Sequence, residues 1–78
     1  MPTVLRVDGY RFFFFSNEGS EPPHIHVQNA ERYAKFWLRP PRLATNSGYN
    51  TRELGRISDI IEEHHQMLLE AWHERFGR

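Results

Sequence analysis

Apolar and polar side chains alternate over residues 24–28, where Ile25 and Val27 fall on one side and His24, His26 and Gln28 on the other. That period of two is the mark of a strand, whose successive side chains point to opposite faces. Residues 33–38 repeat the pattern, with Ala34, Phe36 and Leu38 set against Tyr33, Lys35 and Trp37. If Ala30-Glu31 is the tip of a hairpin, Gln28 lies across from Tyr33, His26 from Lys35 and His24 from Trp37. The two apolar sets then share one face, and a slip of one residue would bury Lys35. Upstream, Thr3–Val7 and residues 10–16 read as two more strands joined by Asp8-Gly9. This dipeptide suits a tight hairpin, because both turn positions want positive φ. The second of these strands carries Phe12, Phe13, Phe14 and Phe15, so both of its faces are apolar and both need cover. Residues 16–23, with Gly19, Pro22 and Pro23, read as a surface loop. After Arg39-Pro40-Pro41-Arg42, Leu43 and Ala44 add a short extended piece, and residues 45–49 read as loop.

Beyond residue 50 the spacing changes to three and four: Leu54, Ile57, Ile60 and Ile61, His64, Leu68, Ala71 and Trp72, Phe76. This is the period of an amphipathic helix. Asn50 or Thr51 is a good N-cap, Glu53 suits the first turn, and Gly77 is a natural stop. The polar content rises at His64-His65-Gln66. The pattern therefore predicts two helices, about 51–63 and 65–76, or one with a kink. The expected fold is α+β: a small antiparallel sheet of about four strands in two hairpins over residues 1–44, then a helical segment over 51–77 packed on one face. Leu54, Ile57, Ile61, Leu68 and Trp72 should enter that contact. The other face would keep Tyr33, Trp37 and part of the Phe run.

At 78 residues the chain makes one domain with a small core. It has no cysteine, so it forms no disulfide and no thiolate metal site. Residues 1–50 carry six Arg and Lys against four Asp and Glu, and residues 51–78 carry four Arg against six. A split of +2 and −2 is too mild to argue for nucleic acid by itself, but it places a weakly basic sheet beside acidic helices. No apolar run approaches a membrane span, and the start lacks a leader pattern, so a cytoplasmic protein without a membrane partner is expected.

His24-x-His26 is the first candidate for chemistry. Strand rise puts the two imidazoles about 7 Å apart on one surface. Three readings stand side by side. The pair can be structural, bonded to loop backbone and packed on Trp37. It can be catalytic, one ring taking a proton and the other giving one while Lys35 steadies a phosphate. It can bind a metal, if His64, His65, His73 or a Glu of the last helix supplies a third ligand through the fold. Lys35 opposite His26 disfavours an imidazolium there, whereas the π face of Trp37 favours one at His24. The candidate catalytic residues are thus His24, His26 and Lys35. The candidate binding residues are Arg11, Tyr33, Trp37, His73 and Glu74. No cofactor is indicated.

Pro2-Thr3-Val4-Leu5-Arg6, Tyr10-Arg11-Phe12-Phe13-Phe14-Phe15-Ser16 and Glu21-Pro22-Pro23-His24-Ile25-His26-Val27 together resemble a bacterial family of unknown function, family 4160 among such domains. Ala34-Lys35-Phe36-Trp37-Leu38, Arg52-Glu53-Leu54 and Leu69-Glu70-Ala71-Trp72-His73-Glu74 extend the likeness over nearly the whole chain. Phe15 departs from it, standing where a Tyr is common. The resemblance carries no reaction. It implies a small protein encoded beside a second one, in the manner of a toxin–antitoxin pair. The expectation is a toxin-like component that binds or cleaves RNA, held by a nearby-encoded partner or by its own copies. If it is an enzyme, it would be a ribonuclease-like hydrolase. A non-catalytic protein-interaction module and a metal-binding protein are the alternatives.

Overall fold

The structure is a computed structural model and describes residues 3–16 and 19–77. Pro2 of the first motif, and Asn17 and Glu18 of the expected loop, lie outside the described residues. Among the described residues five strands form one antiparallel sheet in sequence order: β1 (Thr3–Val7), β2 (Tyr10–Phe13), β3 (His24–Asn29), β4 (Arg32–Leu38) and β5 (Pro41–Ser47). Two helices follow, α1 (Thr51–Glu63) and α2 (His65–Phe76). The architecture is α+β, as the pattern of the chain requires. The register of β3 on β4 sets Gln28 against Tyr33, His26 against Lys35 and His24 against Trp37. Asp8 and Gly9 both take positive φ, 54° and 84°, and close the β1–β2 hairpin.

Two expectations are corrected. The sheet has five strands where about four were expected, because residues 41–47 form a full edge strand and not a short extended piece before a loop. Most of β5 is exposed, so no alternation of apolar residues marks it, and Pro40-Pro41 reads as a break. Its pairing with β4 shifts register between Lys35 and Phe36, leaving Ala44 as a bulge. Bulges of this kind blunt an exposed edge. The second correction concerns β2, which stops at Phe13 where residues 10–16 were expected to be strand. Phe14 then enters the core while Phe15 stays exposed.

One face of the sheet is the core. Phe12, Phe14, Ile25, Val27, Ala34, Phe36 and Leu38 meet Ile57, Ile60, Ile61, Leu68 and Trp72 from the helices. Burying each large side chain contributes roughly 1.5–3 kcal/mol. Helix α1 begins with a capping box: Asn50 Oδ1 accepts from the Glu53 backbone N–H at 2.8 Å, and Glu53 Oε1 accepts from the Asn50 N–H at 3.5 Å. Only His64 separates α1 from α2, and its ring Nδ1–H donates to Ile60 O at 2.9 Å. His65 bonds to Leu38 O at the end of β4, which ties α2 across that end of the sheet. Gly77, at φ 70°, ends α2.

The two ends of the sheet are closed differently. At the turn end, Asn29 Nδ2 donates to Gly9 O at 2.9 Å, Arg32 pairs with Glu53 at 2.6 Å, and Arg56 pairs with Asp8. At the loop end, Trp72 stacks among Phe14, His24 and Phe76, and Phe76 lies against Gly19.

Candidate functional site

The face turned away from the core is built by strand register. One row runs Arg6, Arg11, Gln28, Tyr33 and Ser47, the next Phe13, His26, Lys35 and Thr45, and the third His24, Trp37 and Arg42. Four cationic side chains therefore share a surface with the aromatic residues of β2, β3 and β4. Arg11 lies 4.4 Å from the Phe13 ring centroid and Lys35 lies 4.6 Å from that of Trp37. Both are cation–π distances. Arg11 is held further by Thr3 Oγ1 at 2.7 Å and Gln28 Oε1 at 3.5 Å.

The two histidines form the floor of this surface. His24 is 0% exposed and His26 2%, and their ring centroids are 5.1 Å apart, closer than strand rise alone suggests because the rings meet edge to face. His24 Nδ1–H donates to Pro22 O at 2.9 Å, and Glu21 Oε1 is 3.6 Å from the same nitrogen. Its ring sits between Trp37 at 5.7 Å and Trp72 at 4.9 Å. His26 is walled by Phe13, Phe15 and Tyr33, with Phe15 closest at 4.3 Å. His26 Nδ1 shares a hydrogen bond of 2.7 Å with the Tyr33 hydroxyl. Neither imidazole opens to solvent: Phe15 and Tyr33 lie against His26, and Trp37 and Trp72 against His24.

Arg11, Tyr33, Lys35 and Trp37 are thus brought around the histidines. His73 and Glu74 are not among these contacts. Both are exposed on α2, and His73 Nε2 accepts from Arg39 Nη2 at 3.2 Å. The Lys35 ammonium, expected opposite His26, is bonded to Glu21 Oε1 at 2.8 Å over the Trp37 face. Among the described residues no three His, Asp or Glu side chains gather as a metal would need. Three residues could not be placed beside the histidine face from the sequence. Trp72 reaches His24 from 48 positions away, and no local pattern could join them. Glu21 belongs to a loop without periodicity. Arg42 aligns with Trp37 only through the fifth strand. Trp72 Nε1 is buried with no hydrogen-bond partner among the described residues.

The chain is thus a small α+β domain, an antiparallel sheet with helices on one face and a cationic, aromatic surface on the other. The family model described as Domain of unknown function (DUF4160) matches residues 9–73, and the chain belongs to that family. No curated protein and no solved structure matches the chain. No helix among the described residues is long and apolar enough to cross a membrane.

Proposed function

We propose that the uncovered sheet face binds single-stranded RNA in the bacterial cytoplasm. The observation that carries this reading is the pairing of cations with aromatic rings across that face, Arg11 over Phe13 and Lys35 over Trp37. A single strand needs flat rings for its bases and cations for its phosphates, on a surface long enough for several nucleotides. Tyr33 and Trp37 lie four residues apart on β4, roughly 13 Å by strand rise. Phe15, just past the end of β2, packs on His26, which lies opposite Lys35 and so midway between Tyr33 and Trp37 in register. The two histidines hold this platform from below: His24 anchors the loop through Pro22, and His26 orients the Tyr33 hydroxyl. In this reading the burial of both rings gives them a supporting role and leaves cleavage aside. The toxin-like role that the family resemblance implies is kept as part of the proposal, with RNA as the target. A nearby-encoded partner then meets the same face and displaces RNA from it.

Fluorescence anisotropy of a labelled single-stranded RNA tests the reading. Trp37→Ala and Arg11→Ala, checked for native circular dichroism, should each weaken binding. Loss of a stacking ring costs about 1–3 kcal/mol, which is roughly five- to 150-fold in affinity. A wild-type protein that ignores RNA even at low salt would end the proposal. So would variants that bind as tightly as the parent. Expression in a bacterial host with and without the neighbouring gene, scored by growth, tests the toxin-like role separately.

A further inference from the structure

Resting on the RNA-binding reading, we propose that Lys35 is a phosphate subsite of the sheet face and that the Glu21 carboxylate fills it in the free protein. Glu21 Oε1 is 2.8 Å from Lys35 Nζ and 3.6 Å from His24 Nδ1, on a surface whose other cationic strand residues are Arg6, Arg11 and Arg42. A carboxylate placed there has the charge and the acceptor atoms that a phosphate oxygen would present. The backbone beneath it is fixed, since Pro23 O accepts from Leu38 N–H at 2.9 Å and Pro22 O from His24. The Glu21 side chain is 49% exposed and that of Lys35 19%. A rotamer change therefore carries the carboxylate into water and leaves the ammonium in place on Trp37. The incoming group is a phosphodiester of the strand whose base stacks beside Trp37. Glu21 is then an internal competitor: it lowers affinity for any anion at Lys35 and spares that cation from lying unpaired when RNA is absent.

The test is a set of salt titrations with one labelled single-stranded RNA, comparing wild type, Glu21→Gln, Glu31→Gln and the double variant Glu21→Gln/Lys35→Ala. Glu31 is an exposed carboxylate of the β3–β4 turn and reports the general effect of removing a negative charge. Glu21→Gln should bind about two- to fivefold tighter than wild type, the scale of one exposed ion pair. Its plot of log affinity against log salt should steepen by about 0.7, one phosphate on a single strand. Glu31→Gln should gain less, and the double variant should lose the gain. If wild type binds RNA and Glu21→Gln matches it, or matches Glu31→Gln, the subsite is wrong while the RNA face stands. If neither wild type nor Glu21→Gln binds RNA at low salt, the RNA reading fails and the subsite with it.

Discussion

A ring nitrogen that faces a carbonyl oxygen must carry the hydrogen, and this settles three of the five histidines. His24 donates from Nδ1 to Pro22 O, His64 from Nδ1 to Ile60 O, and His65 from Nε2 to Leu38 O. His73 is the reverse case, because a guanidinium can only donate and its Nε2 must accept from Arg39. The sequence shows that His24 and His26 share a face, but a pattern of two cannot show that both are sealed. Their cover comes from Phe15, Tyr33 and Trp72, which belong to three different elements or loops. Tyr49 supplies a prediction at this scale. It is buried beside Tyr10, and its hydroxyl donates to Arg32 O at 3.4 Å. Burial first, then Tyr10 and Glu53, push its phenol up to about 12. The unfolded chain releases that proton near pH 10. The folded state therefore keeps its full stability below about pH 10 and loses part of it as pH rises toward 12. Urea melts at pH 9 and pH 11.5 should show the wild type losing more stability than Tyr49→Phe. Equal losses would mean that the phenol ionises as freely in the fold as out of it.

At the scale of elements, legibility follows burial. Strands β3 and β4 each have one apolar face against the helices, so their register was written in the alternation of Ile25, Val27, Ala34, Phe36 and Leu38. The helix break at His64 was legible from the rise in polar content, and Asn50 takes the N-cap. Strand β5 has no covered face, so nothing in its composition had to alternate. Helix α1 also holds a residue that its own packing does not explain. Gly55 lies inside the helix and an added Cβ would meet nothing within 4 Å. Glycine there costs roughly 0.5–1 kcal/mol against alanine, so Gly55→Ala should raise stability by about that amount. Asn50→Ala should lower it by about 1 kcal/mol, since the Glu53 N–H loses its side-chain acceptor. Thermal melts of both variants check the pair. A destabilised Gly55→Ala would mean that α1 meets something at that position which the isolated chain does not show.

For the whole molecule, charge and packing divide the fold along different axes. The sheet segment is weakly basic and the helices acidic, an imbalance the sequence already carries. What the sequence could not carry is that Arg6, Arg11, Lys35 and Arg42 gather on the face opposite the helices, because that needs all five strands in register. The closure of the two sheet ends runs across this division, and it gives the molecule unequal resistance to local opening. Ion pairs at the turn end are half in water and are weakened by dissolved salt. The rings at the loop end have no such dependence, because apolar burial is not screened. Deuterium exchange in molar sodium chloride should therefore quicken at amides near Asp8, Gly9 and Glu31 and leave those near Trp72 and Phe14 protected. The domain would breathe from one pole only. The pole that stays shut is the one where the rings of Trp37 and Trp72 enclose His24.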